Sequence, residues 1–233
     1  MKDFSNAYIF RFSVIMVASV AILLSLAAML LQPRQERNIE VEKKMNILSS
    51  INVMSTKSDA VELYDKYIRK TFVIDTEGNI IDGTDAFTVS LALEQKKPPE
   101  QQYLPVYVAV NDKGDTLHVF PLEGKGLWGA IWGYVSFRKD LSTIEGVTFD
   151  HKGETPGLGA EIRTEKFERQ FINKQIYDNG TFVSIKVIKG GARPEDIHGV
   201  DAISGGTITS KGVEAMIKDC LFKYDKYIKE NRR

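Results

Sequence analysis

Apolar residues are distributed along this chain in three different ways. From Phe12 to Leu31 every residue is uncharged, in the order FSVIMVASVAILLSLAAMLL. A helix of that length spans about 30 Å, the thickness of a bilayer's hydrocarbon core. Arg11 bounds the run on one side and Gln32-Pro33-Arg34 on the other. Val41, Met45, Leu48 and Ile51 then recur at helical spacing. Asn52 to Ser58 is a polar break. Thr56 with Asp59 resembles a capping box ahead of a short helix carrying Val61, Leu63, Tyr64, Tyr67 and Ile68.

Beyond that point the pattern shortens to strands and turns. Thr71–Asp75 and Asn79–Asp82 flank Thr76-Glu77-Gly78, and Leu104–Val110 and Thr116–Phe120 flank Asn111–Asp115. Both arrangements predict hairpins. Ala130–Phe137, Thr143–Phe149 and Thr181–Ile188 predict three further strands, and Lys166–Ile172 a helix. His151–Ala160 and Gly190–Ser210 predict glycine-rich loops. A final helix is expected from about Lys211 to Glu230, where Val213, Met216, Ile217, Cys220, Leu221, Tyr224 and Ile228 form one apolar stripe. The predicted fold is α+β: an N-terminal transmembrane helix followed by a mixed, mostly antiparallel sheet with flanking helices.

Composition adds exclusions. The 233 residues carry 31 Lys+Arg and 31 Asp+Glu, so the formal net charge is zero. With no long basic stripe, nucleic acid is not an expected partner. One cysteine, Cys220, allows no intrachain disulfide and no CxxC site, and its place in the stripe reads as core packing. The uncharged run is too long for a signal-peptide h-region, although Ser25-Leu26-Ala27 is a small-x-small triplet, so an uncleaved anchor is expected. Lys2 and Arg11 precede the run, and Arg34, Arg37, Lys43 and Lys44 follow it. By the positive-inside rule that count weakly places the C-terminal side inside the cell.

Candidate chemistry is sparse. Gly124–Gly129 matches G-x-G-x-x-G, but a β-like stretch follows it and no βαβ unit surrounds it, so a turn into a strand is expected rather than a dinucleotide site. His118, His151 and His198 are too dispersed for a metal motif, and no metal is expected. Two segments remain. Gly153–Gly159 places three glycines and a proline in seven residues. That composition suits an open backbone beside a flat ligand, with Glu154 and Thr155 available for hydrogen bonds and Leu158 for packing. A plain surface turn is the alternative. Asp201–Ser210 runs straight into the last helix, where free N–H groups and the positive dipole end suit a phosphate. Ser204, Gly205 and Gly206 allow close backbone approach, and Lys211 adds charge. The plain alternative is a cap by Thr209 or Ser210.

Together these segments resemble the FMN-binding domain family whose flavin is attached covalently. Asp201, Ser204, Gly205 and Thr207 match its D-x-x-[ST]-G-A-T pattern, and Gly206 stands where alanine is usual. Glu154–Gly159 matches a second hallmark of the family. The resemblance implies FMN joined through its phosphate to the Thr207 hydroxyl by a flavin transferase, near Glu154, Thr155, Leu158 and Gly159. Family members serve as electron-carrying subunits of Na+-translocating NADH:quinone reductases and of Rnf-type ion-translocating oxidoreductases. Gly126–Gly129, Val187–Gly191 and His198–Asp201 tilt the resemblance to the former. The implied partners are the flavin, iron–sulfur and NADH-oxidising subunits of an inner-membrane complex. The implied organisation is a tail at 1–11, a span at 12–31, a linker helix at 32–54 and a periplasmic FMN domain at 55–233. The competing class is a membrane-anchored, non-redox module that binds a phosphorylated ligand, which would not need a hydroxyl at Thr207.

Overall fold

A computed structural model describes residues 5–232. Contacts divide the chain into two units that meet at Lys43 and Lys44. From Asn6 onward the first is helical and belongs to α1 (Asn6–Ser50). Its most apolar eighteen residues have a mean hydropathy of 2.8 and none is buried, so α1 is long and apolar enough to cross a membrane. The helix runs through Pro33, so the expected span at 12–31 and the start of the expected linker helix at 32–54 lie in one continuous element. Proline removes one N–H donor and crowds the preceding turn, but the Arg, Gln and Glu residues after it are good helix formers and the helix continues.

The second unit begins with the last residues of α1. That helix ends where Asn52 adopts φ +61° and the Val53 N–H reaches back to the Leu48 carbonyl at 3.0 Å, a Schellman stop with asparagine in the left-handed position. In α2 (Ala60–Tyr67) the Thr56 N–H donates to Asp59 at 2.6 Å, half of the expected capping box.

The central sheet has the order β2-β1-β3-β4-β5-β6, antiparallel throughout. Its strands are β1 (Ile68–Ile74), β2 (Ile80–Ile81), β3 (Leu104–Val110), β4 (Thr116–Lys125), β5 (Ala130–Phe137) and β6 (Ile144–His151). Short helix α3 (Leu91–Glu94) lies between β2 and β3. The two predicted hairpins form with the same turn chemistry. Asp75 Oδ1 accepts the N–H groups of Glu77 and Asn79, and Asn111 Oδ1 those of Lys113 and Asp115.

After β6 come α4 (Glu165–Glu168), β7 (Tyr177–Asp178), β8 (Thr181–Phe182), β9 (Lys186–Ile188), β10 (Gly199–Asp201) and α5 (Thr207–Asn231). The strand expected over 181–188 is broken, because Ser184 sits at φ +61°. Inside the stretch expected to be loop, β10 pairs parallel with β9.

The sheet is buried on both faces. Leu117 and Val119 of β4 face a cluster with Ile47, Leu48, Ile51, Tyr64 and Tyr107, while Phe120 and Leu122 face the opposite core. Burial on both faces explains why β3 reads as a continuous apolar run rather than an alternation. The whole predicted α5 stripe lies in the second core, each member at most 3% exposed. There Phe120 meets Tyr224 at 4.7 Å between ring centroids, and Cys220 packs as expected, its thiol pushed up to about 11 by burial. Helix α5 is thereby held across the sheet, and its N-terminal turn lies beside the β4–β5 turn.

Candidate functional site

Helix α5 begins four residues earlier than the sequence predicts, at Thr207 rather than Lys211. Thr207, Ile208, Thr209 and Ser210 are ordinary to poor helix formers, so propensity gives no early start; tertiary contacts supply it. The Thr209 hydroxyl donates to Glu154 Oε2 at 2.5 Å, and the Ser210 hydroxyl accepts the Ile203 N–H at 3.0 Å. Both residues are buried within the first turn. Neither is the cap; the N-cap position belongs to Gly206, and no side chain caps it.

That arrangement leaves the helix end open. The first intrahelical bond runs from the Ser210 N–H to the Gly206 carbonyl, so the N–H groups of Thr207, Ile208 and Thr209 precede the ladder. They gather where the helix dipole is positive. Thr207 is half-buried, Ile208 is 59% exposed, and Ser204 and Gly205 are exposed. Gly205 lies at φ +75°, a backbone conformation that strains any residue with a side chain, and a Cβ there would come within 2.5 Å of Leu158 Cδ2.

Leu158 therefore brings the two predicted segments together. It stands over Gly205 and Gly206 with 42% of its surface exposed. Thr155 is exposed, and its carbonyl accepts the N–H groups of Leu158 and Ala160, which closes the loop on itself. Gly159 is buried against Glu154 and Thr209. Glu154 is 4% exposed, and its other oxygen, Oε1, accepts the Trp128 N–H at 2.8 Å. Its own N–H donates to His151 Nδ1 at 3.2 Å.

Two more candidates are exposed and bond neighbours at the surface. Asp201 Oδ1 accepts the Ala192 N–H at 2.7 Å, pinning the loop between β9 and β10. Lys211 pairs with Glu214 at 2.8 Å. The G-x-G-x-x-G match is the β4–β5 turn, closed by the Gly126 N–H on the Gly129 carbonyl. Leu127 and Trp128 project from it, 46% and 69% exposed. The sequence singles out this turn as a motif but gives it no role. Its tie to the site runs through Glu154, 26 residues away, and no local pattern signals such a contact.

The site thus offers an open helix N-terminus for an anion, a hydroxyl on the helix's first residue, and an apolar wall at Leu158 for a flat ring. These features fit a flavin mononucleotide, and they define a class of flavin-carrying domain. The FMN-binding domain family model matches residues 126–222. The C subunit of the Na(+)-translocating NADH-quinone reductase of Haemophilus ducreyi is 31% identical over 223 residues, covering 86% of each chain. Its counterpart from Pasteurella multocida is 35% identical over 227 residues, covering 85% of this chain and 86% of that one. The crystal structure of the Parabacteroides distasonis C subunit superposes with a TM-score of 0.78 at 39% identity, over 85% of this chain and 96% of that chain. The chain belongs to the family of Na(+)-translocating NADH-quinone reductase C subunits.

Proposed function

We propose that this chain is a membrane-anchored electron-transfer subunit of a Na+-translocating NADH:quinone reductase, with FMN esterified to Thr207. The observation that carries the reading is the unequal burial of the hydroxyl-bearing residues in α5's first turn. Thr209 and Ser210 are buried and hydrogen-bonded inside the protein. Thr207, half-buried, stands at the open end of the helix. A phosphate ester there meets the free N–H groups and the positive end of the dipole.

For attachment, Thr207 Oγ1 exchanges its proton for one bond to phosphorus. The donor is a flavin dinucleotide whose pyrophosphate link breaks, a nucleoside monophosphate leaves with the bonding pair, and a flavin transferase takes the proton. Leu158 lies where it would cover one side of a ring, and Thr155 is exposed in the same loop. Bound FMN supplies one- and two-electron redox chemistry, and the protein supplies position and electrostatics. A tether prevents dissociation of a carrier that works between fixed redox centres. Donor, acceptor, NADH oxidation and Na+ transport then belong to partner subunits, reached from α1's membrane anchorage. We place the domain on the periplasmic side, as the family resemblance implies and against the weak charge count around the span.

The test is expression of the full chain with a flavin transferase, followed by denaturing electrophoresis. The wild type is expected to give a flavin-fluorescent band and Thr207→Ala none. A dark wild-type band overturns covalent attachment, and a fluorescent Thr207→Ala band moves it to another hydroxyl.

A further inference from the structure

Within the reading that flavin attaches at Thr207, we infer that Glu154 is a positioning residue that presents Thr207 and withholds Thr209. The sequence offers Glu154 as a ligand-binding group, but in the structure both carboxylate oxygens are used inside the protein. Oε1 accepts the Trp128 N–H at 2.8 Å, and Oε2 accepts the Thr209 hydroxyl at 2.5 Å. One side chain, 4% exposed, thereby joins the β4–β5 turn, the 154–159 loop and the first turn of α5.

The fit around it is close on both sides. A Cβ at Gly126 would stand 2.5 Å from Oε1, and one at Gly159 would stand 2.4 Å from Oε2 and 2.4 Å from Thr209 Oγ1. A buried carboxylate is costly unless its oxygens find donors, and here the donors come from segments 26 positions before it and 55 after it. The buried stripe sets the rotation of α5 as a whole, and drawing Thr209 inward ties its first turn to that same face. Thr207, two residues earlier and about 200° around the helix, is set away from that contact. Thr207 and Thr209 are both threonines in one turn, so the difference between them is one of orientation, which Glu154 holds at the end of the helix.

The experiment compares wild type, Glu154→Gln, Glu154→Ala and Thr209→Val, each as the full chain co-expressed with a flavin transferase. It measures the rate of covalent flavin incorporation and locates the attachment within the tryptic peptide 190–211. Both Glu154 variants are expected to incorporate flavin more slowly, on the order of tenfold to a hundredfold, with part of the label on Thr209. Thr209→Val is expected to slow incorporation while leaving all label on Thr207. The double variant Glu154→Ala/Thr209→Val is expected to be no slower than the slower single variant, because both changes break the same contact. A general loss of stability would slow incorporation without moving label to Thr209. If Glu154→Ala fails to fold, Glu154→Gln, which keeps the shape and one acceptor, decides the matter. Wild-type rate and exclusive Thr207 labelling in the Glu154→Gln protein overturn the positioning role while leaving the flavin reading intact. A wild type that takes up no flavin overturns both.

Discussion

The 154–159 loop and the segment that leads into the first turn of α5 carry the two family patterns, touch one another through Leu158, and use their polar groups in opposite ways. The loop turns its one charged side chain inward, where Glu154 satisfies two donors. The helix turn leaves its first N–H groups outside the hydrogen-bond ladder, with Thr207 half-buried at the helix start. Motif residues thus divide into those whose polar groups are used inside the protein and those whose polar groups are not, and only the geometry separates them. Asp201 and Lys211 differ from both: each is exposed and bonds a neighbour at the surface, the Ala192 N–H and Glu214.

The comparison breaks most visibly through stability. Glu154→Ala removes the acceptor for the buried Thr209 hydroxyl and the part-buried Trp128 N–H and is expected to cost about 2–3 kcal/mol, read from urea unfolding of the detergent-solubilised chain. Thr207→Ala, at the open end of the helix, is expected to change stability by less than about 0.5 kcal/mol. Equal costs would erase the distinction between the two groups. Next, Gly205→Ala forces a side chain into φ +75° and against Leu158. It is expected to cost about 2 kcal/mol and to depress flavin incorporation. Gly206→Ala sharpens the contact between the two segments. Its Cβ would lie 2.9 Å from Ile203 Cγ2 and 3.2 Å from the Leu158 carbonyl carbon, so Ile203 must rotate and the loop must yield slightly, at about 1 kcal/mol. Alanine is the family's usual residue there, so a neutral result would show that the loop adjusts freely.

A smaller effect concerns Glu123, on β4 beside Cys220, whose half-buried carboxyl is pushed up to about 7 by burial. A carboxyl whose folded pKa exceeds its unfolded value favours the folded state at low pH. Its contribution is full below about pH 4.5 and is lost as pH rises to about 7. Stability of the wild type is expected to decline through that window, and Glu123→Gln to flatten the decline. An unchanged slope in the variant would assign the decline to other groups.

The sequence made some of this legible. Asp75 and Asn111 with their following glycines announce both hairpins, because Asx turn chemistry is local. The α5 stripe is equally plain, because its period survives over the whole helix. What escaped depends on contacts far apart in the chain. The early start of α5 needs Glu154 to hold Thr209, and Ser184's positive φ breaks a strand that propensity favours. The pairing of β10 with β9 inside a glycine-rich stretch is likewise set by its neighbours. At the site, the residues suggested by the two motifs do gather, but the inward commitment of Glu154 and the buried place of Thr209 were not readable from spacing.

The central claim is that the Thr207 hydroxyl, among four in its segment, carries the flavin. Tandem mass spectrometry of the tryptic peptide 190–211, from full-length chain co-expressed with a flavin transferase, tests it directly. That peptide contains Ser204, Thr207, Thr209 and Ser210. The expected result is a mass increase of one FMN less one water, localised to Thr207 alone. An unmodified peptide, or the increase on Ser204, Thr209 or Ser210, contradicts the account.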